Sequence, residues 1–268
     1  MPDLIKRHPV FVFYLLAFAF SWLGWVPQSL YARGLFPFDS PLFALLGGVG
    51  PTLAAIVVLG VLGEKDGLRN LFGALFQVRL AWGWYLLVFG FWFAVAGIAL
   101  GIGALFGQAF PAVGQFAWGS LPSVLIGMLL SNVWEEIGWR GFALPRLQKK
   151  YPDLTVVLLM GLLWSLWHLP LMLNPSSPMA ALPWYGEILF SLSLTAIYTW
   201  LYLQTGGSLF GVTLFHAMSN TIAFLLLDAG VFSTSYLFVV GVTTLFAVAV
   251  VLIYGPQRFK TKLTQFSL

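Results

Sequence analysis

The chain has 268 residues, 60% of them hydrophobic and only 8% charged, with a net charge of +4 and no cysteine. Soluble domains carry about 25% charged residues, so this is the composition of a membrane protein, and the length accommodates roughly eight spans of about 20 residues with little left for a soluble domain. The basic residues border hydrophobic runs instead of forming a polar face, which argues against nucleic acid as a partner, and the missing cysteine removes disulfides, thiolate nucleophiles, thiolate metal ligands and palmitoyl anchors.

After Lys6 and Arg7, the uncharged run Pro9–Ala32 is long enough for a first span; it exceeds a signal-peptide core and no Ala-x-Ala site closes it, so it is expected to stay uncleaved. Span two is predicted from about Pro41 to Gly63, with Gly47, Gly48 and Gly50 permitting close helix contact and Pro51 placed to kink it. Between residues 67 and 79, Leu68, Leu71, Phe72, Leu75 and Phe76 fall at helical spacing, which predicts an amphipathic helix lying on the membrane surface. Span three follows from about Trp82 to Phe106, with Gly97 and Gly101 at small-xxx-small spacing.

Span four is predicted at 121–147, span five at 154–173, span six from Trp184 to Gln204, span seven at 208–227 and span eight from Ser235 to Tyr254. The fold class is therefore all-α, a polytopic integral membrane protein with about eight helices in a single transmembrane domain, residues 1–268. With eight spans and the N-terminus inside, every Lys and Arg except Arg33 falls on one side, including Arg258, Lys260 and Lys262 in the tail. The positive-inside rule makes that side cytoplasmic, with both termini there. The compact loops suggest a prokaryotic cell membrane.

Span four carries the chemistry. No Asp, Glu, Lys or Arg occurs between Leu80 and Trp134, and then Glu135, Glu136 and Arg140 appear together. Charges at such depth are costly and are retained for function or as a paired scaffold. Glu136 and Arg140, four apart, share a helix face and read as a buried ion pair; Glu135 points about 100° away and escapes it. A carboxylate left in an apolar, partly wet cavity suits a general base that later acts as an acid.

The histidines supply partners. His8 precedes the first span as a solvated residue, whereas His168 and His216 lie inside uncharged spans. A lone intramembrane His can serve only as a packing donor, but depth brings these together. At about 1.5 Å per residue, Glu135 lies roughly 18 Å up span four from Leu147, His168 roughly 21 Å up span five, and His216 and Asn220 roughly 12 and 18 Å up span seven. Trp164, one turn before His168, is placed to wall the shared cavity. The sequence contains no His-Glu-x-x-His helix and no suitably placed Ser-His-Asp set. Glu135 with His168 can polarise a water for attack on a carbonyl while His216 and Asn220 hold the oxyanion; alternatively Glu135, His168, His216 and Asn220 ligate a divalent metal such as zinc whose water attacks. The sequence leaves both versions open, so the cofactor is either none or a metal.

Glu135-Glu136-x-x-x-Arg140, then Trp164-x-x-x-His168, then His216-x-x-x-Asn220, resemble the CPBP family of intramembrane proteases, which includes type II CAAX prenyl endopeptidases and bacterial relatives linked to bacteriocin processing and immunity. Gly141-Phe142-x-Leu144-Pro145 and Gly50-Pro51-x-Leu53-Ala54-Ala55 extend the likeness. The resemblance implies an eight-helix fold with a cavity open toward the cytosol, Glu135 as general base, His168 as its water-activating partner, and His216 and Asn220 on the oxyanion; such proteins have been described both as metalloproteases and as glutamate proteases. Trp164 departs from the family, where Phe is commoner. The expected function is an intramembrane endopeptidase cutting a peptide bond near the cytosolic side, with a peptide or protein substrate, prenylated or not, and the bilayer as partner. The alternatives are a non-catalytic immunity or scaffold protein and a proton-coupled transporter, the latter weakened by the absence of internal repeats.

Overall fold

The computed structural model describes residues 2–257 and 259, so Arg258, Lys260 and Lys262 and the tail orientation expected from them lie outside the described residues. All regular structure among the described residues is helical. In chain order the α-helices are α1 Pro2–Arg7, α2 Pro9–Tyr31, α3 Pro41–Leu62, α4 Lys65–Gly73, α5 Trp82–Leu105, α6 Leu121–Glu136, α7 Leu144–Gln148, α8 Asp153–Trp167, α9 Leu169–Met172, α10 Trp184–Gln204, α11 Leu209–Asp228 and α12 Phe232–Tyr254.

Six of these, α2, α3, α5, α10, α11 and α12, are long and apolar enough to cross a membrane. The fold is thus a polytopic all-α membrane protein, and eight is an approximate count: the remaining two predicted spans are interrupted rods. Residues 121–148 run as α6, a π-helical segment Ile137–Ala143, and α7. Two glycines, Gly138 and Gly141, lower the cost of altered winding there, and Pro145 has no N–H to give an α-helical bond. Thr52 of α3 donates to the Trp134 carbonyl at 2.5 Å, just ahead of the point where the winding changes.

Span five was expected to be continuous. It breaks instead at His168, between α8 and α9, because Pro170 cannot donate to the Leu166 carbonyl. The Trp22 indole N–H reaches the Trp167 carbonyl at 3.1 Å and so caps the end of α8. The amphipathic helix is shorter than the expected 67–79: α4 ends at Gly73, a 3₁₀ turn covers Ala74–Phe76, and the chain then extends toward α5. Its buried Leu71 packs beneath the π segment, where a Cβ on Gly141 would collide with it.

α11 forms the centre of the bundle, packed by α5, α6, α10 and α12. Its start is fixed by Ser208, whose hydroxyl accepts from the Gly211 N–H at 3.0 Å. α2 and α3 lie closest of all, through Gly24, Gly47 and Gly50, where any side chain would overlap the facing helix. α3 continues through Pro51, and Gly63 ends it with a left-handed φ of 71°. Gly97 and Gly101 face open space and take no part in packing within the chain. Leu245, Leu252 and Ile253 on α12 and Leu86 and Phe93 on α5 remain exposed, as lipid-facing side chains do.

Candidate active site

The interrupted rods and α11 converge. Asn132, Glu135, Trp164, His168, His216 and Asn220 all line one cavity of ≈ 390 Å³. Every residue singled out from the sequence for water activation or oxyanion binding is therefore brought to this one space.

The two glutamates are separated as helical spacing requires. Glu136 and Arg140 pair at 3.0 Å with 0% and 1% exposure, respectively. The guanidinium is also held between the rings of Trp164 and Tyr198, 4.9 and 4.8 Å from their centroids. Glu136 has a second partner that spacing did not suggest: His216 Nδ1 lies 2.8 Å from the same Oε1. A carboxylate can only accept, so Nδ1 carries a proton.

Glu135 turns to the cavity and is 9% exposed. Its Oε2 accepts from the Trp164 indole N–H at 3.2 Å, and its Oε1 lies 3.4 Å from Asn132 Nδ2. Trp164 is thus more than a wall. The Phe commoner at this position in the resembled family could not make that bond.

Asn132 is a site residue that sequence reasoning missed. Its Oδ1 accepts from Asn220 Nδ2 at 3.2 Å, which fixes the amide so that its Nδ2 faces both Glu135 and, at 3.2 Å, His216 Nε2. One amide therefore links Glu135 to both α11 residues. In this arrangement His216 Nε2 accepts and is not free to donate, unlike the oxyanion donor expected from the sequence; Asn132 occupies the space between.

Glu187 was also missed. It is buried near the start of α10 and lines the cavity, with its Oε1 3.4 Å from His168 Nδ1. Ser191 donates to it at 2.8 Å and the Tyr236 hydroxyl at 3.3 Å. The signal was present in the sequence, since no other charged residue occurs between Asp153 and Asp228.

The metal alternative is not met by these positions. Among the described residues no group of three or more His, Asp or Glu is gathered as an ion would need. Both nitrogens of His216 are engaged, one by Glu136 and the other by an amide N–H, which cannot ligate a cation. The set Glu135, His168, His216 and Asn220 is not arranged as a metal centre.

The cavity lies in the half of the bundle away from the Lys- and Arg-rich connections.

Residues 117–222 match a protein family described as type II CAAX prenyl endopeptidase Rce1-like. A curated protein named CAAX prenyl protease 2, from Methanococcus maripaludis, is 33% identical over 149 residues, a match covering 52% of this chain and 52% of that protein. The chain thus aligns with about half the length of this relative. The family match runs from just before α6 into α11 and includes all three motifs, so the resemblance to CPBP intramembrane proteases holds over the helices that carry the site.

Proposed function

We propose that this integral membrane protein is an intramembrane endopeptidase in which Glu135 activates a water for attack on a peptide carbonyl. The observation that carries the reading is the convergence of Glu135, His168, His216 and Asn220 from three separate rods on one cavity. Glu135 takes a proton from water as the oxygen attacks the carbonyl carbon, and returns it to the leaving amine when the C–N bond breaks. His168, oriented by Glu187 behind its Nδ1, holds that water from the opposite side.

Asn220 gives one N–H to Asn132 and keeps a second for the oxyanion of the tetrahedral intermediate. His216, held at Nδ1 by the Glu136 carboxylate, keeps the Asn132 amide that bonds Asn220 in place beside it. Glu136 and Arg140 hold this layer in place.

The name of the Methanococcus maripaludis relative points to prenylated substrates. The test uses purified protein with matched prenylated and unmodified membrane peptides. Glu135→Gln and His168→Ala abolish cleavage and leave the melting temperature within a few degrees of wild type; wild-type turnover by both refutes the mechanism.

A further inference from the structure

α2 and α8 meet at one end and part toward the other. Near the break at His168 they are joined by the Trp22 bond to the Trp167 carbonyl and by the Trp25 and Trp167 rings, 4.4 Å between centroids. Toward the turn between α7 and α8 they leave a groove of ≈ 740 Å³. Phe11, Leu15 and Phe18 form its α2 wall and Leu159 and Leu163 its α8 wall, above a buried floor of Tyr14 and Leu147. No residue lines both this groove and the cavity that holds Glu135, so the two are separate.

The mouth of the groove is basic. Arg146, Lys149, Lys150 and His8 line it, and no Asp or Glu does. Arg146 already has partners: its guanidinium pairs with Glu64 and lies 4.1 Å from the centroid of the Phe142 ring. Lys149 and Lys150 are exposed, and no carboxylate among the described residues pairs with either. Asp153, close by in the chain, accepts instead from the Gln148 amide and the Phe259 N–H. Two uncompensated cations therefore stand above apolar walls. From His8 to Phe18 on α2, and from Asp153 to Leu163 on α8, each wall rises about 15 Å, which is the depth of one leaflet in a hydrocarbon core of about 30 Å.

From the basic mouth and the leaflet-deep apolar walls we propose that this groove binds one anionic phospholipid, its phosphate held at Lys149 and Lys150 and an acyl chain lying against Phe11, Leu15, Leu159 and Leu163. A free phosphate would engage the mouth alone and a neutral lipid the walls alone; a lipid of net negative charge satisfies both. Its chain fills the gap that α2 and α8 leave between them, so the bound lipid braces the rod that ends at His168 and raises the stability of the folded protein. The inference does not rest on the proteolytic reading above.

The test titrates the full chain, purified in a neutral detergent, with phosphatidylglycerol and phosphatidylcholine of identical acyl chains and with inorganic phosphate, reading bound lipid by native mass spectrometry and the melting temperature in parallel. Phosphatidylglycerol binds more tightly than phosphatidylcholine and raises the melting temperature more. In the double variant Lys149→Gln/Lys150→Gln that preference falls roughly 10- to 30-fold, since each basic side chain near an anionic lipid contributes about a factor of five. Both lysines are exposed, and Lys149→Gln alone, with about a fivefold loss, carries the test if the double variant does not fold. Leu159→Trp, which fills the groove from its α8 wall, weakens binding of phosphatidylglycerol with the lysines intact. Equal binding of the two lipids, a preference that survives loss of the lysines, or full binding to Leu159→Trp overturns the proposal. So does an equal rise in melting temperature with inorganic phosphate, which would make the mouth an ion site with no role for the groove.

Discussion

Adjacent carboxylates with opposite roles make the sharpest test of this site. Glu136→Gln removes the only carboxylate bonded to both Arg140 and His216, in surroundings where donor and acceptor are almost fully buried. An amide oxygen can keep one of the two partners, but the guanidinium then lacks a counter-ion, and breaking a buried pair costs about 3–5 kcal/mol. Glu135→Gln differs: the donors to Glu135, Asn132 and Trp164, are neutral, and a glutamine oxygen can still accept from one of them. The stability cost is about one neutral hydrogen bond, roughly 0.5–1.5 kcal/mol.

Activity should show the opposite contrast in cause. Loss of the general base lowers turnover by about 10²–10⁴-fold with the fold intact. The assay pairs thermal unfolding in detergent, followed by intrinsic tryptophan fluorescence, with peptide cleavage. Glu136→Gln melts well below wild type, while Glu135→Gln melts near wild type and does not turn over. Equal destabilisation of the two variants, or an unchanged melting curve for Glu136→Gln, would refute the division of labour.

Glu187→Gln keeps one acceptor oxygen where Ser191 and the Tyr236 hydroxyl now use two, at a stability cost of roughly 0.5–1.5 kcal/mol, and removes the charge facing His168, so kcat falls about tenfold, the equivalent of roughly 1.4 kcal/mol. Gly138→Ala places a Cβ 2.5 Å from that of Pro51 and 2.7 Å from its carbonyl carbon, so it destabilises the protein by about 1–3 kcal/mol, read as a lowered melting temperature. Gly97→Ala, in open space on α5, is neutral or raises stability by up to about 1 kcal/mol through helix propensity, measured in the same assay.

Most of the fold was legible because the bilayer imposes one requirement on every span, about 20 apolar residues without charge, and the sequence marks each interval with Gly, Pro or basic residues. The Glu136–Arg140 pair was legible from spacing alone, since it lies within one helix. Asn132 was not, because its bonds to His216 and Asn220 cross 84 and 88 residues and depend on how α6 and α11 rotate against each other. Glu187 was a different kind of omission. It stands three residues into α10, where a charge can be taken for an interfacial one, yet the same rule that singled out Glu135 applied to it.

The two rods that do not qualify as unbroken spans are the ones that carry Glu135 and His168, and the proposed function gives a reason for this. A regular helix in a membrane satisfies its backbone internally and offers a cavity only side chains at fixed angles. Departures from α-helical geometry cost stability unless neighbours supply partners for the freed groups, as Thr52 does for the Trp134 carbonyl and Trp22 for that of Trp167. Both compensating donors come from α2 and α3, the closely packed pair outside the residues 117–222 that match the family model. Helices that carry none of the reacting groups therefore determine how those groups are aimed, and changes at Thr52 or Trp22 should be felt at Glu135 and His168.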